Sequence, residues 1–180
     1  MKKTLIALAM ASLSATASAE ALTTPNDTVI SGGYAQKQLR DAPGIPKLNG
    51  YTIQIQKNLN EYFALQGGFA DVEASKDLGF TKISGSLLST NFDVKLGFDA
   101  TVNDSLVFHP YAKMGVVYLM TDVTASGVNL DYLSSDLGAD FGMGLETTIG
   151  DTVVIDTGYG FQGIGQDGYD QYTATIGFKF

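Results

Sequence analysis

One histidine occurs in the chain, His109, in the run "HPYAKMGVVY". Imidazole is the usual base of a Ser-His-acid set, whose three members must stand in hydrogen-bond contact. A second pattern, "GYGFQG", places Gly158, Gly160 and Gly163 at G-x-G-x-x-G spacing. Such glycines cradle a pyrophosphate only when they open a helix after a strand. Here "IGQDGYDQ" follows, a loop leading into another strand, so a chance match is the better reading. A third pattern is acidic. Asp131, Asp136, Asp167 and Asp170 could hold a hard cation through carboxylate oxygens, but no spacing matches a dedicated calcium loop, and a hydrated, solubilising role is preferred. What each group can do depends on the elements that carry it.

The first residues bear on compartment. Lys2 and Lys3 precede an apolar run from Leu5 to Leu13, and Ala17 and Ala19 then stand at A-x-A spacing. This is the layout of a secretory signal peptide over 1–19. The run is too short for a spanning helix, which needs about 20 apolar residues. Residues 20–180 are expected to form one domain. The chain has no cysteine, so packing or the surroundings must hold an exported domain. Nineteen acids stand against 11 Lys and Arg, and loss of Lys2 and Lys3 deepens the excess. A nucleic-acid partner, which calls for a basic face, is not expected. Abundant glycine, scarce proline and many aromatic and β-branched residues favour strands.

Alternation with period two runs through the remainder. In "NFDVKLGFDA", Phe92, Val94, Leu96 and Phe98 oppose Asp93, Lys95, Gly97 and Asp99. In "LGADFGMGLET", Leu137, Ala139, Phe141, Met143 and Leu145 oppose Gly138, Asp140, Gly142, Gly144 and Glu146. "TVVIDTGYGF" sets Val153, Ile155, Thr157, Tyr159 and Phe161 against Val154, Asp156, Gly158 and Gly160, and the terminal "QYTATIGFKF" sets Tyr172, Ala174, Ile176, Phe178 and Phe180 against polar residues and glycine. Weaker versions occur in "VISGGYA", "YTIQIQ", "YFALQGGF" and "HPYAKMGVVYLM". About eight strands result, each near the ~10 residues that cross a bilayer at a tilt.

Their connections alternate in length. Short ones fall around Asn58–Asn60, Val102–Ser105 and Ile149–Asp151. Long ones cover Lys37–Asn49, Asp71–Thr90, Thr121–Asp136 and Gln162–Gln171. Short periplasmic turns and long outer loops are the signature of an outer-membrane barrel. The expected fold is therefore all-β, an eight-stranded antiparallel up-and-down transmembrane β-barrel. A soluble lipocalin-like carrier would have a similar strand count with apolar side chains inward. The inverted arrangement is preferred for three reasons. Glycines and opposite charges share one face and suit a narrow lumen, which is expected to hold a polar network of Asp93, Lys95, Asp99, Lys113, Asp140, Glu146 and Asp156. Aromatics sit near strand ends on the other face, as in interfacial girdles. Finally, Tyr172, Ile176, Phe178 and Phe180 give a terminal strand that would face lipid and act as an assembly signal for the barrel-assembly machinery. Eight strands leave room only for side chains, so no general porin activity is expected.

This frame also places His109. Its strand starts at a short turn, so the residue belongs near the periplasmic rim, whereas lipopolysaccharide-modifying chemistry belongs at the loop end. A rim side chain satisfied by neighbours is preferred, and neither catalysis, a cofactor nor a metal is expected.

"DTVISGGYAQ", "HPYAKMGVVY" and "SSDLGADFGMGLETTIGDTVVIDTGYGF" running into "IGFKF" resemble the Ail/Lom (OmpX-like) family of small outer-membrane proteins. The resemblance implies an eight-stranded barrel whose strands project beyond the membrane as an exposed sheet, with roles in host attachment and complement resistance for several members. The expected partners are outer-membrane lipid, lipopolysaccharide, and host surface or matrix proteins met by the long loops. Phe80, Leu87, Leu88, Leu130, Tyr132 and Tyr169 are the candidate loop contacts. "TDVTASGVNLDYLSSD" carries acids and no base, which weighs against a polyanion ligand.

Overall fold

A computed structural model describes residues 27–40, 46–77, 82–103, 105–125, 130–164 and 167–180. The proposed signal segment and Phe80 lie outside them.

The alternating stretches fold into nine strand segments. These are β1 (Thr28–Leu39), β2 (Leu48–Asn58), β3 (Phe63–Asp77), β4 (Lys82–Gly97), β5 (Ala100–Asn103), β6 (Leu106–Ala125), β7 (Leu130–Ile149), β8 (Val153–Ile164) and β9 (Asp167–Lys179). Each pairs antiparallel with its neighbours, and β1 pairs with β9, so the sheet closes. Backbone bonds between Thr28 and Phe180 extend that seam. Segments β4 and β5 are one barrel strand interrupted at Phe98 and Asp99, since both pair with β6, giving eight strands in all. Closure pairs the backbone groups that hydrocarbon would otherwise leave unsatisfied.

The short turns fall where Asn, Asp and Gly cluster. Gly150 and Asp151 both have φ near +59°, as the two central residues of a type I′ turn demand, within the three-residue link between Ile149 and Val153. Asn60 Oδ1 accepts from the backbone N–H of Tyr62 and of Phe63, which stabilises the turn before β3.

The long connections differ from expectation. Most of Asp71–Thr90 and Thr121–Asp136 is strand, because β3 pairs with β4 as far as Asp77↔Lys82 and β6 with β7 as far as Ala125↔Leu130. The reason is physical. Outside the membrane the outward side chains need not be apolar, so the alternation fades while backbone pairing continues. Strand β6 has 20 residues. At ~3.3 Å per residue and ~40° tilt it spans about 50 Å, against an apolar band of about 25 Å. Much of the β3–β4–β6–β7 sheet therefore stands clear of the bilayer, as the family resemblance implied.

Candidate functional site

The wall changes polarity along its height. In the lower part, outward positions are apolar and open, including Ile30, Ile53, Val94, Phe141, Ile176 and Phe178, with Met114 61 % exposed. Tyr34 is register-paired with Tyr51, and Tyr159 lies 5.0 Å from Tyr172, building an aromatic belt below the outer end. Inward positions there are mostly polar or glycine, with Val29, Ala64 and Val154 buried near the periplasmic end.

The lumen is filled in layers. Lys95, 1 % exposed, donates to Gln56 Oε1 at 2.7 Å, Glu146 Oε2 at 3.0 Å and Asp156 Oδ2 at 3.1 Å. Its three N–H donors thus match three acceptors. The Tyr111 ring lies 3.7 Å from the ammonium, and the Tyr111 hydroxyl donates to Asp156 Oδ1 at 2.8 Å. Further outward, Lys113 donates to Asp93 at 2.8 Å and Asp140 at 3.1 Å. Asp140 also accepts from Gln162, whose Oε1 takes a bond from Lys37 at 2.6 Å. Lys37 donates as well to Ser89 Oγ at 2.6 Å. Glycines make this density possible. A Cβ on Gly144 would meet the Tyr111 hydroxyl at 2.5 Å, and one on Gly115 would meet the Phe92 carbonyl oxygen at 2.0 Å.

From the level of Lys37 outward the interior turns aliphatic. Ala35, Ala70, Val72, Leu87, Val117 and Leu119 form a buried cluster, with Leu48 and Tyr169 packed against it. Outside this cluster the wall carries Glu73, Ser75, Asp122 and Ser135. Apart from the outward pair Leu88 and Met120 at its base, the extension thus has the apolar-in, polar-out order of a protein in water, the reverse of the membrane part.

Six of the seven charged residues read as luminal meet in these layers. Asp99 does not. It is exposed at the strand break, bonds His109 Nδ1 through Oδ1 at 2.6 Å, and lines the periplasmic mouth of the lumen below these layers. There His109, Glu61, Glu146 and Lys179 line a vestibule of about 430 Å³. Tyr172, Ile176, Phe178 and Phe180 all point outward and are exposed. Leu87 is not a loop contact, since it faces inward within the aliphatic cluster, and Tyr169 is partly buried against the same cluster. Leu88 sits half-buried on the opposite, outward side of β4, and Leu130 and Tyr132 lie within β7, paired with Ala125 and Val123. Gly158, Gly160 and Gly163 lie within β8, not at a helix start, so they form no dinucleotide cradle. Gln56, Tyr111, Gln162 and Lys37 were missed as network members. The parity of Gln56 and Tyr111 places them inward, whereas Lys37 and Gln162 fall at the starts of stretches that read as loops.

A closed antiparallel barrel, lipid-facing outside and ion-paired within, defines a membrane-spanning β-barrel of the bacterial outer membrane. The chain belongs to the outer membrane protein beta-barrel domain family, whose model matches residues 5–180. No curated protein matches the sequence. Among solved structures it is similar to Ail, the attachment invasion locus protein of Yersinia pestis, with TM-score 0.63 and 18 % identity over 87 % of this chain and 100 % of that one. Neisserial surface protein A gives TM-score 0.66 at 16 % identity, over 87 % and 98 %. The N-terminal barrel of Pseudomonas aeruginosa OprF gives 0.62 at 18 %, over 88 % and 100 %. The resemblance to Ail holds at the level of the fold.

Proposed function

We propose that the protein is a non-enzymatic cell-surface interaction platform that serves attachment to host surface or matrix proteins. One observation carries this reading. Residues 130–138 of β7 pair with β6, but the β7–β8 register begins at Ala139↔Gly163, so among the described residues this stretch has no partner on its other side. It is a nine-residue open edge, held above the membrane by the cluster of Val72, Leu87 and Leu119. A partner's strand can add to such an edge by backbone hydrogen bonds, with little demand on side chains.

Charge narrows the partner. No Lys or Arg occurs between Lys113 and Lys179. Ail has been solved with the heparin analogue sucrose octasulfate. The outer part of β6 beyond Lys113, together with β7, carries acids and no Lys or Arg, and instead favours a neutral or basic protein partner over a sulfated sugar. Assembly would use the outward-facing terminal strand with Phe178 and Phe180, which is the part offered to the barrel-assembly machinery.

The register supplies a clean test. Asp122 pairs with Leu133, so residues 123–132 can be replaced by an Asn-Gly turn without disturbing the pairs below. Cells bearing the full-length barrel should bind immobilised matrix or serum proteins, and cells with the shortened hairpin should lose that binding. Equal binding by cells lacking the protein would remove the proposal.

A further inference from the structure

The lipid-facing wall is not uniform. A depression of about 850 Å³ crosses β4, β6, β7, β8 and β9 on the outer side. Its lining includes the small side chains Ala112 and Thr157, together with the larger Leu96, Met143, Tyr159 and Tyr172. Register defines its course. Leu96 pairs with Ala112, Ala112 with Met143, Met143 with Tyr159, and Tyr159 with Tyr172. Leu96 is next to last in β4, at the periplasmic end, while Tyr172 pairs with Gln36 in the outer part of β1. The groove thus climbs obliquely from the inner rim to the outer aromatic belt.

A polar station follows directly at its upper end. The Tyr159 hydroxyl donates to Asp170 Oδ1 at 2.9 Å, and Arg40 Nη2 reaches the same oxygen at 2.8 Å. The guanidinium lies 4.3 Å from the centre of the Phe161 ring, and the Arg40 backbone N–H donates to the Gly168 carbonyl oxygen, which fixes where the side chain emerges. The Arg40 side chain remains 49 % exposed. Its guanidinium carries five N–H donors, and the bond to Asp170 leaves others for a ligand.

We propose that this groove and station together bind one glycolipid of the outer leaflet, with lipid A chemistry, as a retained rather than freely exchanging lipid. One acyl chain lies along Ala112 and Thr157, and the sugar sits on Arg40 and Asp170. The occupant follows from position and charge. The wall at this height faces hydrocarbon, so an acyl chain is what fills a depression there. The station lies at the loop end, which faces the outer leaflet. Its Arg–Asp pair has no net charge and offers donors beside an acceptor. Sugar hydroxyls and amides can use both, whereas a phosphate alone would meet the Asp170 carboxylate.

The test uses the full-length barrel, extracted and exchanged into mild detergent, with lipid retention read by native mass spectrometry. Lipid A, phosphatidylglycerol and phosphatidylethanolamine are offered at equal concentration. The wild type should retain lipid A at least tenfold over either phospholipid. Ala112→Phe fills the groove and Asp170→Ala removes the acceptor, and each should cut that preference at least fivefold. Heat-dependent electrophoretic mobility verifies that both variants are folded. Equal retention of phosphatidylglycerol by the wild type would overturn the glycolipid assignment, and retention unchanged in both folded variants would overturn the site.

Discussion

Replacing Lys95 by Met removes the cation on which the lower lumen closes. The side chain is 1 % exposed and bonds Gln56, Glu146 and Asp156 within 3.1 Å. Methionine retains similar bulk, so little cavity forms, and the loss is chiefly electrostatic. Two buried carboxylates are left facing each other without a counter-ion. Breaking a buried ion pair by removing one member costs about 3–5 kcal/mol. With a urea slope of ~2 kcal/mol/M, the unfolding midpoint should fall by about 2 M. The assay is urea unfolding of the barrel in lipid vesicles, followed by tyrosine fluorescence and heat-dependent mobility. The combined variant Lys95→Met, Glu146→Gln and Asp156→Asn removes the stranded charges along with the cation and should recover most of the lost stability, since a neutral replacement of a buried ion network is often tolerated. A midpoint shift below about 0.5 M for Lys95→Met, ~1 kcal/mol on the same slope, would refute the reasoning. It would mean that Lys95 is hydrated and that the lumen is open.

Three further outcomes follow from other parts of the wall. Leu87→Ala should cost about 2–5 kcal/mol by opening the aliphatic cluster, and hydrogen exchange should quicken around residues 84–90 and 117–124 while 92–96 stay protected. Met114→Arg places a cation on the lipid face and should cost about 2–4 kcal/mol in vesicle-based unfolding, whereas Asp122→Arg, above the membrane, should be close to neutral. Gly150→Val forces a β-branched residue into positive φ and should cost about 1–2 kcal/mol, measurable by the same titration, while Asp151→Gly should be neutral or slightly stabilising.

Much of this architecture was legible from alternation. Asp93 and Lys95 against Val94 and Leu96, and Asp140 against Phe141, set both the strand and the face, because a period of two admits one assignment once the outer face is known to meet lipid. Turns with Asn, Asp and Gly marked the periplasmic end. What escaped was the extension. Leu87 and Leu119 face inward, yet their neighbours Leu88 and Met120 are also apolar, so no alternation separated the two faces. Lys37 looked like a loop cation because nothing local shows that Ser89 and Gln162, 52 and 125 residues away, supply its acceptors. Asp99 keeps its inward parity and lines the vestibule with His109, but it lies below the ion-paired layers, and no residue type in "GFDA" announces the strand break there.

The central claim is that the wall reverses its polarity where it leaves the bilayer, and strand β6 offers the most direct measurement. Spin labels placed singly at the outward positions 112, 114, 116, 118, 120, 122 and 124, in barrels reconstituted in vesicles, can be compared for collision with oxygen and with a water-soluble nickel complex. Oxygen should dominate up to Val116, the two should cross between Tyr118 and Asp122, and nickel should dominate at Thr124. Dominance of the nickel complex at Met114 and Val116 would contradict it.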